Sequence, residues 1–232
     1  MGVKENKLVV LGAGGVGKTS LVVQYVEGFF STTYKPTVED YYRHTVKMPD
    51  GSHEPVEIVD TAGSHPFPAM RELSIRSGRA FLLVFSLDDA GTLREALRIW
   101  EHIRKIRGDK VPVVLVGNKT DLEAERQVTS EMVDEALLQD DSTPQCKYLE
   151  TSAKSNFNVG PLFVELLQHA RELERPAPPV AQQSRRLSRR LSSLGNINLA
   201  TRRKSSIGKV VQSSEEAEND DPPKSDPRCV IA

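Results

Sequence analysis

The chain has 232 residues, enough for one domain of ordinary size and a remainder. With 38% hydrophobic and 27% charged residues it suits a soluble globular core, and its two cysteines, Cys146 and Cys229, exclude a disulfide framework and fit a reducing compartment. The formal net charge of −1 says nothing about partners, no nucleic-acid partner is expected, and no C-x-x-C or H-E-x-x-H spacing suggests zinc. Residues 1–6 are polar and the first apolar run, 8–11, is short, so neither a secretory signal nor a membrane span is expected. Gly2 invites N-myristoylation, but Asn6 stands where that motif wants Ser or Thr. Without a secretion signal, the sequon Asn118-Lys119-Thr120 is a chance match.

In chain order, residues 7–11 form a β-branched-rich run ending at Gly12, and 18–27 read as a helix. Residues 41–47 and 56–59 read as strands joined by the turn Pro49-Asp50-Gly51. Residues 81–86 and 111–116 are continuous apolar runs, as expected of strands covered on both faces. Between them, 92–107 carries Leu93, Ala96, Leu97 and Trp100 at helical spacing. Residues 130–139 and 161–173 predict further helices, and 147–150 the last strand. The βαβ alternation predicts an α/β fold of three layers: a six-stranded, mostly parallel sheet with helices on both faces and 41–47 as the antiparallel edge strand. The composition changes at Pro176-Ala177-Pro178-Pro179, which cannot continue a helix. We therefore expect one domain over residues 1–174 and a disordered tail over 175–232.

Gly12-Ala13-Gly14-Gly15-Val16-Gly17-Lys18-Thr19 fits G-x-x-x-x-G-K-[ST] and lies between a predicted strand and a predicted helix, as a P-loop does. Glycines let successive backbone N–H groups converge on phosphate oxygens, and the following helix adds its dipole. Lys18 would neutralise the β and γ phosphates, and the Thr19 hydroxyl would ligate Mg²⁺. A lone Gly-rich turn needs no such role, and the cradle does not distinguish ATP from GTP. Two later elements select guanine. In Asn118-Lys119-Thr120-Asp121, Asp121 is placed to accept from the guanine N1–H and exocyclic amine, a donor pair that adenine lacks. In Thr151-Ser152-Ala153-Lys154, a backbone N–H would meet guanine O6. Both follow strand C-termini, where α/β sheets bind ligands. Taken alone, Asn-Lys-x-Asp is an ordinary polar turn. Asp60-Thr61-Ala62-Gly63 follows the strand ending at Val59; Asp60 would hold a magnesium-bound water, and the Gly63 N–H would bond the γ-phosphate. Thr37, after Pro36, is the candidate second hydroxyl ligand of Mg²⁺, although Pro-Thr is also a common turn.

In this order the motifs resemble the Ras superfamily over residues 6–174, with a P-loop NTPase-type fold. The stretch Tyr34-Lys35-Pro36-Thr37-Val38-Glu39-Asp40-Tyr41 looks like the effector loop of the Ras subfamily. The stretch Ser64-His65-Pro66-Phe67-Pro68-Ala69-Met70, with Leu73-Ser74-Ile75, is similar to the Di-Ras and Dexras/Rhes branches. The resemblance implies a GTP/GDP switch in which Thr37 and Gly63 hold two loops on the γ-phosphate. It implies GTP-dependent effectors, an exchange factor and a GAP. It also implies nucleotide contacts along Gly14 to Ser20, at Phe30, Tyr34 and Thr37, and at Asn118, Lys119, Asp121, Ser152, Ala153 and Lys154. By periodicity alone Phe30 is equally a core residue. Ser64 stands where most Ras proteins place the glutamine that orients the attacking water, and its shorter arm predicts slow hydrolysis. A second reading follows from the same residue: a predominantly GTP-loaded binding module. Gly14 has no side chain to obstruct an incoming arginine finger.

The final Cys229-Val230-Ile231-Ala232 fits C-a-a-X with Ala as X, favouring farnesylation of Cys229 in a lipoprotein at the cytoplasmic face of the plasma membrane. A second membrane signal is needed for stable anchoring. The candidate is the run Arg185, Arg186, Arg189, Arg190, Arg202, Arg203, Lys204, within residues 185–204. Leu187, Leu191 and Leu194 fall on one helical face there, which also resembles a calmodulin target. Ser188, Ser192 and Ser205 follow basic residues, as basophilic kinase sites do. Five acids between Glu215 and Asp221 separate this segment from Cys229.

Overall fold

The computed structural model describes residues 6–63, 68–138 and 146–175. The elements are β1 (Asn6–Gly12), α1 (Lys18–Glu27), β2 (Glu39–Lys47), β3 (His53–Thr61), α2 (Pro68–Ser77), β4 (Ala80–Ser86), α3 (Ala90–Arg107), β5 (Val113–Asn118), α4 (Ser130–Leu138), β6 (Cys146–Glu150) and α5 (Val159–Glu174). They build one six-stranded sheet in the order β2-β3-β1-β4-β5-β6. Only the β2–β3 pair is antiparallel; β1–β3, β1–β4, β4–β5 and β5–β6 are parallel. The expected α/β architecture, with its antiparallel edge strand, is therefore present.

Two cores follow from the two-residue period of the central strands. Leu8 and Val10 of β1 pack with Leu21 of α1 and Leu162, Phe163 and Leu166 of α5. Val9 and Leu11 point to the other face and pack with Ala96, Ile99, Trp100 and Ile103 of α3. β1 and β4 are buried almost throughout, which is why they read as unbroken apolar runs. The hairpin turn forms where expected: the Gly51 N–H donates to the Met48 carbonyl at 3.0 Å, and Asp50 Oδ1 accepts from the Ser52 N–H at 2.9 Å. Asp89 caps α3 by accepting from the Gly91 N–H, and Arg104, Lys105 and Arg107 occupy its last turn.

Most boundaries differ from the sequence reading by a residue or more, three of them for a plain physical reason, and one α-helix is new. β5 begins at Val113 because Pro112 has no N–H; the Pro112 carbonyl still accepts from the Phe81 N–H at 3.0 Å. α5 starts two residues before Pro161, which sits in a first turn whose N–H groups need no helical partner. β3 extends from His53 to Thr61 because it is paired along its whole length with β2. The unanticipated element is α2. Of its apolar side chains Ile75 is buried, while Met70 and Leu73 are exposed, so no apolar stripe marks the helix. Among the described residues no helix is long and apolar enough to cross a membrane.

Candidate functional site

The loop between β1 and α1 follows the first strand into a series of turns that only glycine adopts easily. Gly15 and Gly17 have φ of +75° and +92°, and a Cβ on Gly17 would collide with the Asn118 side-chain amide. Lys18 opens α1 and folds back: its ammonium donates to the carbonyls of Gly12 at 3.1 Å and Ala13 at 2.7 Å. An ammonium carries three protons, so one is left for an anion. Burial lowers the Lys18 pKa to about 8, with Asp60 opposing the shift. Val16, predicted as a nucleotide contact, is fully buried and does not line the cavity; its carbonyl accepts from Asn118 instead.

A cavity of about 690 Å³ opens beside this loop. Of the residues predicted from sequence, Gly14, Gly15, Gly17, Lys18, Thr19 and Ser20 line it from the cradle side. Phe30, Tyr34, Lys35, Thr37 and Gly63 line it from the two loops that flank the hairpin. Asn118, Lys119, Asp121, Ala153 and Lys154 line it at the far end. Phe30 meets both readings, packing partly against the core while lining the cavity.

At one end lies an oxygen cluster. The Thr19 hydroxyl donates to Asp60 Oδ2 at 2.6 Å and shares a 2.7 Å hydrogen bond with the Thr37 hydroxyl. Thr19 has a single proton, so Thr37 is the donor of the second bond. Asp60 is fully buried, its Oδ1 has no hydrogen-bond partner among the described residues, and burial raises its pKa to about 6. A buried carboxylate with an orphaned oxygen beside two hydroxyls is a hard-oxygen donor set, with the Lys18 ammonium near enough to favour its charged form. That chemistry fits Mg²⁺, which takes few protein ligands and completes its shell with water and phosphate.

At the other end, Asp121 Oδ1 accepts from the Ser152 hydroxyl at 2.6 Å, and the Lys154 ammonium stands 3.8 Å from Asp121 Oδ2. Ser152 is fully buried and does not line the cavity; it orients the carboxylate from behind. Asn118 joins three segments. Its Nδ2 donates to the Val16 carbonyl at 2.9 Å, and its Oδ1 accepts from the Thr151 hydroxyl at 3.2 Å and the Ala153 N–H at 3.3 Å.

The effector stretch is mostly outside the cavity: Val38 is 81% exposed, and Asp40 and Tyr41 are exposed on β2. Glu39 accepts from the Tyr41 hydroxyl at 2.9 Å and from the Ser74 hydroxyl of α2 at 3.1 Å. Sequence reading missed this tie, and it missed Val23, Glu27, Phe29, Ser31, Thr32, Thr33, Thr61 and Leu122 among the lining residues. Phe29 was the accessible one, being next to Phe30. Ser64, Cys229 and residues 185–204 lie outside the described residues.

Residues 7–172 match the model of the Ras family. The chain is also similar to the GTP-binding protein Di-Ras2 of Mus musculus, of Pongo abelii and of Macaca fascicularis. Each is 48% identical over 163 residues, covering 69% of this chain and 79% of the relative. With a Ras-family match spanning the cradle, the oxygen cluster and the Asp121 end alike, the chain belongs to the Ras family of small GTPases and stands near Di-Ras.

Proposed function

We propose that this protein is a membrane-anchored switch that binds GTP with Mg²⁺, hydrolyses it slowly to GDP and phosphate, and engages partners in its GTP form. The observation that carries the reading is one cavity lined by the Asp121 carboxylate, which Ser152 holds, and by the Thr19 and Thr37 hydroxyls, with the buried Asp60 carboxylate behind Thr19. Asp121 accepts two donors from one base edge, and an adenine there would leave it unsatisfied. Lys18 offers its remaining proton to the phosphates. Thr19, Thr37 and, through water, Asp60 would hold Mg²⁺, which when bound offsets phosphate charge. Thr37 and Gly63 would fasten the two flanking loops on the γ-phosphate, so that loss of that group releases both.

Slow hydrolysis rests on Ser64, whose hydroxyl is too short to orient water as a carboxamide does. Single-turnover hydrolysis by the wild-type protein is expected at or below ~10⁻⁴ s⁻¹, with Ser64→Gln at least about threefold faster. A wild-type rate equal to that of Ser64→Gln defeats this part of the reading. In the same preparation GTP and GDP are expected to displace a fluorescent guanine nucleotide while ATP in large excess does not. Ser64 also supports a predominantly GTP-loaded binding module with negligible hydrolysis, and the nucleotide content of protein isolated from its own cells separates the two. Effectors, an exchange factor and a GAP are the expected partners. A prenyl group on Cys229 and the basic segment 185–204 would hold the chain at the cytoplasmic face of the plasma membrane. Calmodulin and basophilic kinases are further partners suggested by that segment's Leu and Ser spacing.

A further inference from the structure

Lys119 lines the cavity at the Asp121 end, yet its backbone has φ +71°, a left-handed conformation that a Cβ disfavours. Such a residue persists only where its surroundings fix it. The Leu122 N–H donates to the Lys119 carbonyl at 3.0 Å, and the Thr120 N–H donates to the Thr151 carbonyl at 3.1 Å. The side chain is held separately: the Lys119 ammonium donates to Asp88 Oδ2 at 3.3 Å. The other oxygen of Asp88 accepts from the Ser86 hydroxyl, so the carboxylate is fixed at both oxygens. Its loop is joined to β5 by the Leu87 N–H, which donates to the Asn118 carbonyl at 3.0 Å. Asp88 and Lys119 are partly buried, with 21% and 30% of their side chains exposed, and Asp88 does not line the cavity.

The two charges have different surroundings. Lys119 and Lys18 both line the cavity, so a Lys119 ammonium without a counter-charge would be free to follow a bound anion along it. A fixed carboxylate behind the wall keeps the stem extended and its apolar length against whatever occupies the base end. We propose that Asp88 is a positioning residue that lengthens nucleotide residence by holding the Lys119 side chain along the base-binding wall. The inference rests on the reading that a guanine nucleotide occupies this cavity with its base at Asp121.

The test is dissociation of N-methylanthraniloyl-GDP from the full-length protein in magnesium, chased with unlabelled GDP. Asp88→Ala is expected to release it about three- to tenfold faster, with the isosteric Asp88→Asn in between. Raising salt from about 0.1 to 1 M is expected to speed release from the wild type more than from Asp88→Ala, because screening weakens only a pair that is present. Release from Asp88→Ala within twofold of wild type, or the same salt response in both, overturns the proposal. If Asp88→Ala does not fold, Asp88→Asn decides: release no faster than wild type, or an unchanged salt response, overturns the proposal. Lys119→Ala and Asp121→Ala separate the two levels. If both speed release while the Asp88 variants do not, only the role of Asp88 fails; if neither does, the placement of the nucleotide fails.

Discussion

Asn118 shows how much one side chain carries at this site. It is 2% exposed, and its amide serves the cradle through Val16 and the last loop through Thr151 and Ala153. Truncation leaves a buried carbonyl, hydroxyl and N–H without partners at once. Asn118→Ala is expected to lower stability by about 3 kcal/mol or more, read as a shifted urea midpoint with unchanged slope. Residues with a fixed spacing to a chemical task were legible in the sequence: Lys18 and Thr19 after the glycines, Asp60 after its strand, and Asp121 after Asn118. Asp88 was not, since Asp88-Asp89 before a helix reads as capping, and Asp89 does cap α3. Nothing in the spacing places residue 88 against residue 119. That neighbourhood arises only once β4 and β5 pair in register, with Ser86 opposite Asn118.

At the scale of elements, β6 and the segment before α4 are joined by a two-pronged contact. Arg126 donates to both oxygens of Glu150, at 2.9 and 2.8 Å, and to the Val128 carbonyl at 3.2 Å; the Tyr148 hydroxyl donates to Glu150 Oε1 at 2.8 Å. Hydrogen bonding from Arg126 holds the Glu150 carboxyl below its ordinary pKa, against the opposing effect of burial. A carboxylate depressed on folding contributes stability above its unfolded pKa of about 4.3 and loses it as pH falls through the lower folded value. Glu150→Gln is therefore expected to cost about 1 kcal/mol at pH 7 and progressively less as pH is taken below about 4, in denaturation midpoints measured across that range. The strands were legible because the sheet is covered on both faces and reads as apolar runs. α2 was not, because its placement depends on a few contacts, Ile75 in the core and Ser74 on Glu39, rather than on a buried stripe.

At the scale of the molecule, the hairpin is tied to the last helix by a single guanidinium. Arg171 donates to Glu54 at 2.5 Å, Asp50 at 2.9 Å and the Ser52 hydroxyl at 2.8 Å, joining residues more than a hundred positions apart. No sequence period announces such a tie, although the hairpin turn and α5 were each readable. The tail was readable only as composition and as a four-residue terminus. Its proposed lipid anchor belongs to the whole chain: Cys229→Ser is expected to move the protein from the membrane pellet to the soluble fraction. Retention of the variant in the pellet in wild-type amount would count against prenyl anchoring, since a basic segment alone gives reversible binding.

The chain has a single tryptophan, Trp100, and it lies in the core on the α3 side of the sheet, with the Arg104 guanidinium 6.0 Å from its ring centre. The stacked pair Tyr25 and Phe163, 3.9 Å apart, belongs to the other face. Tryptophan fluorescence, excited at wavelengths that tyrosine does not absorb, therefore reports from one half of the interior alone. A label on the α1–α5 side would supply the second channel. Whether the two halves melt together or in succession then becomes a question that two dyes in one cuvette decide.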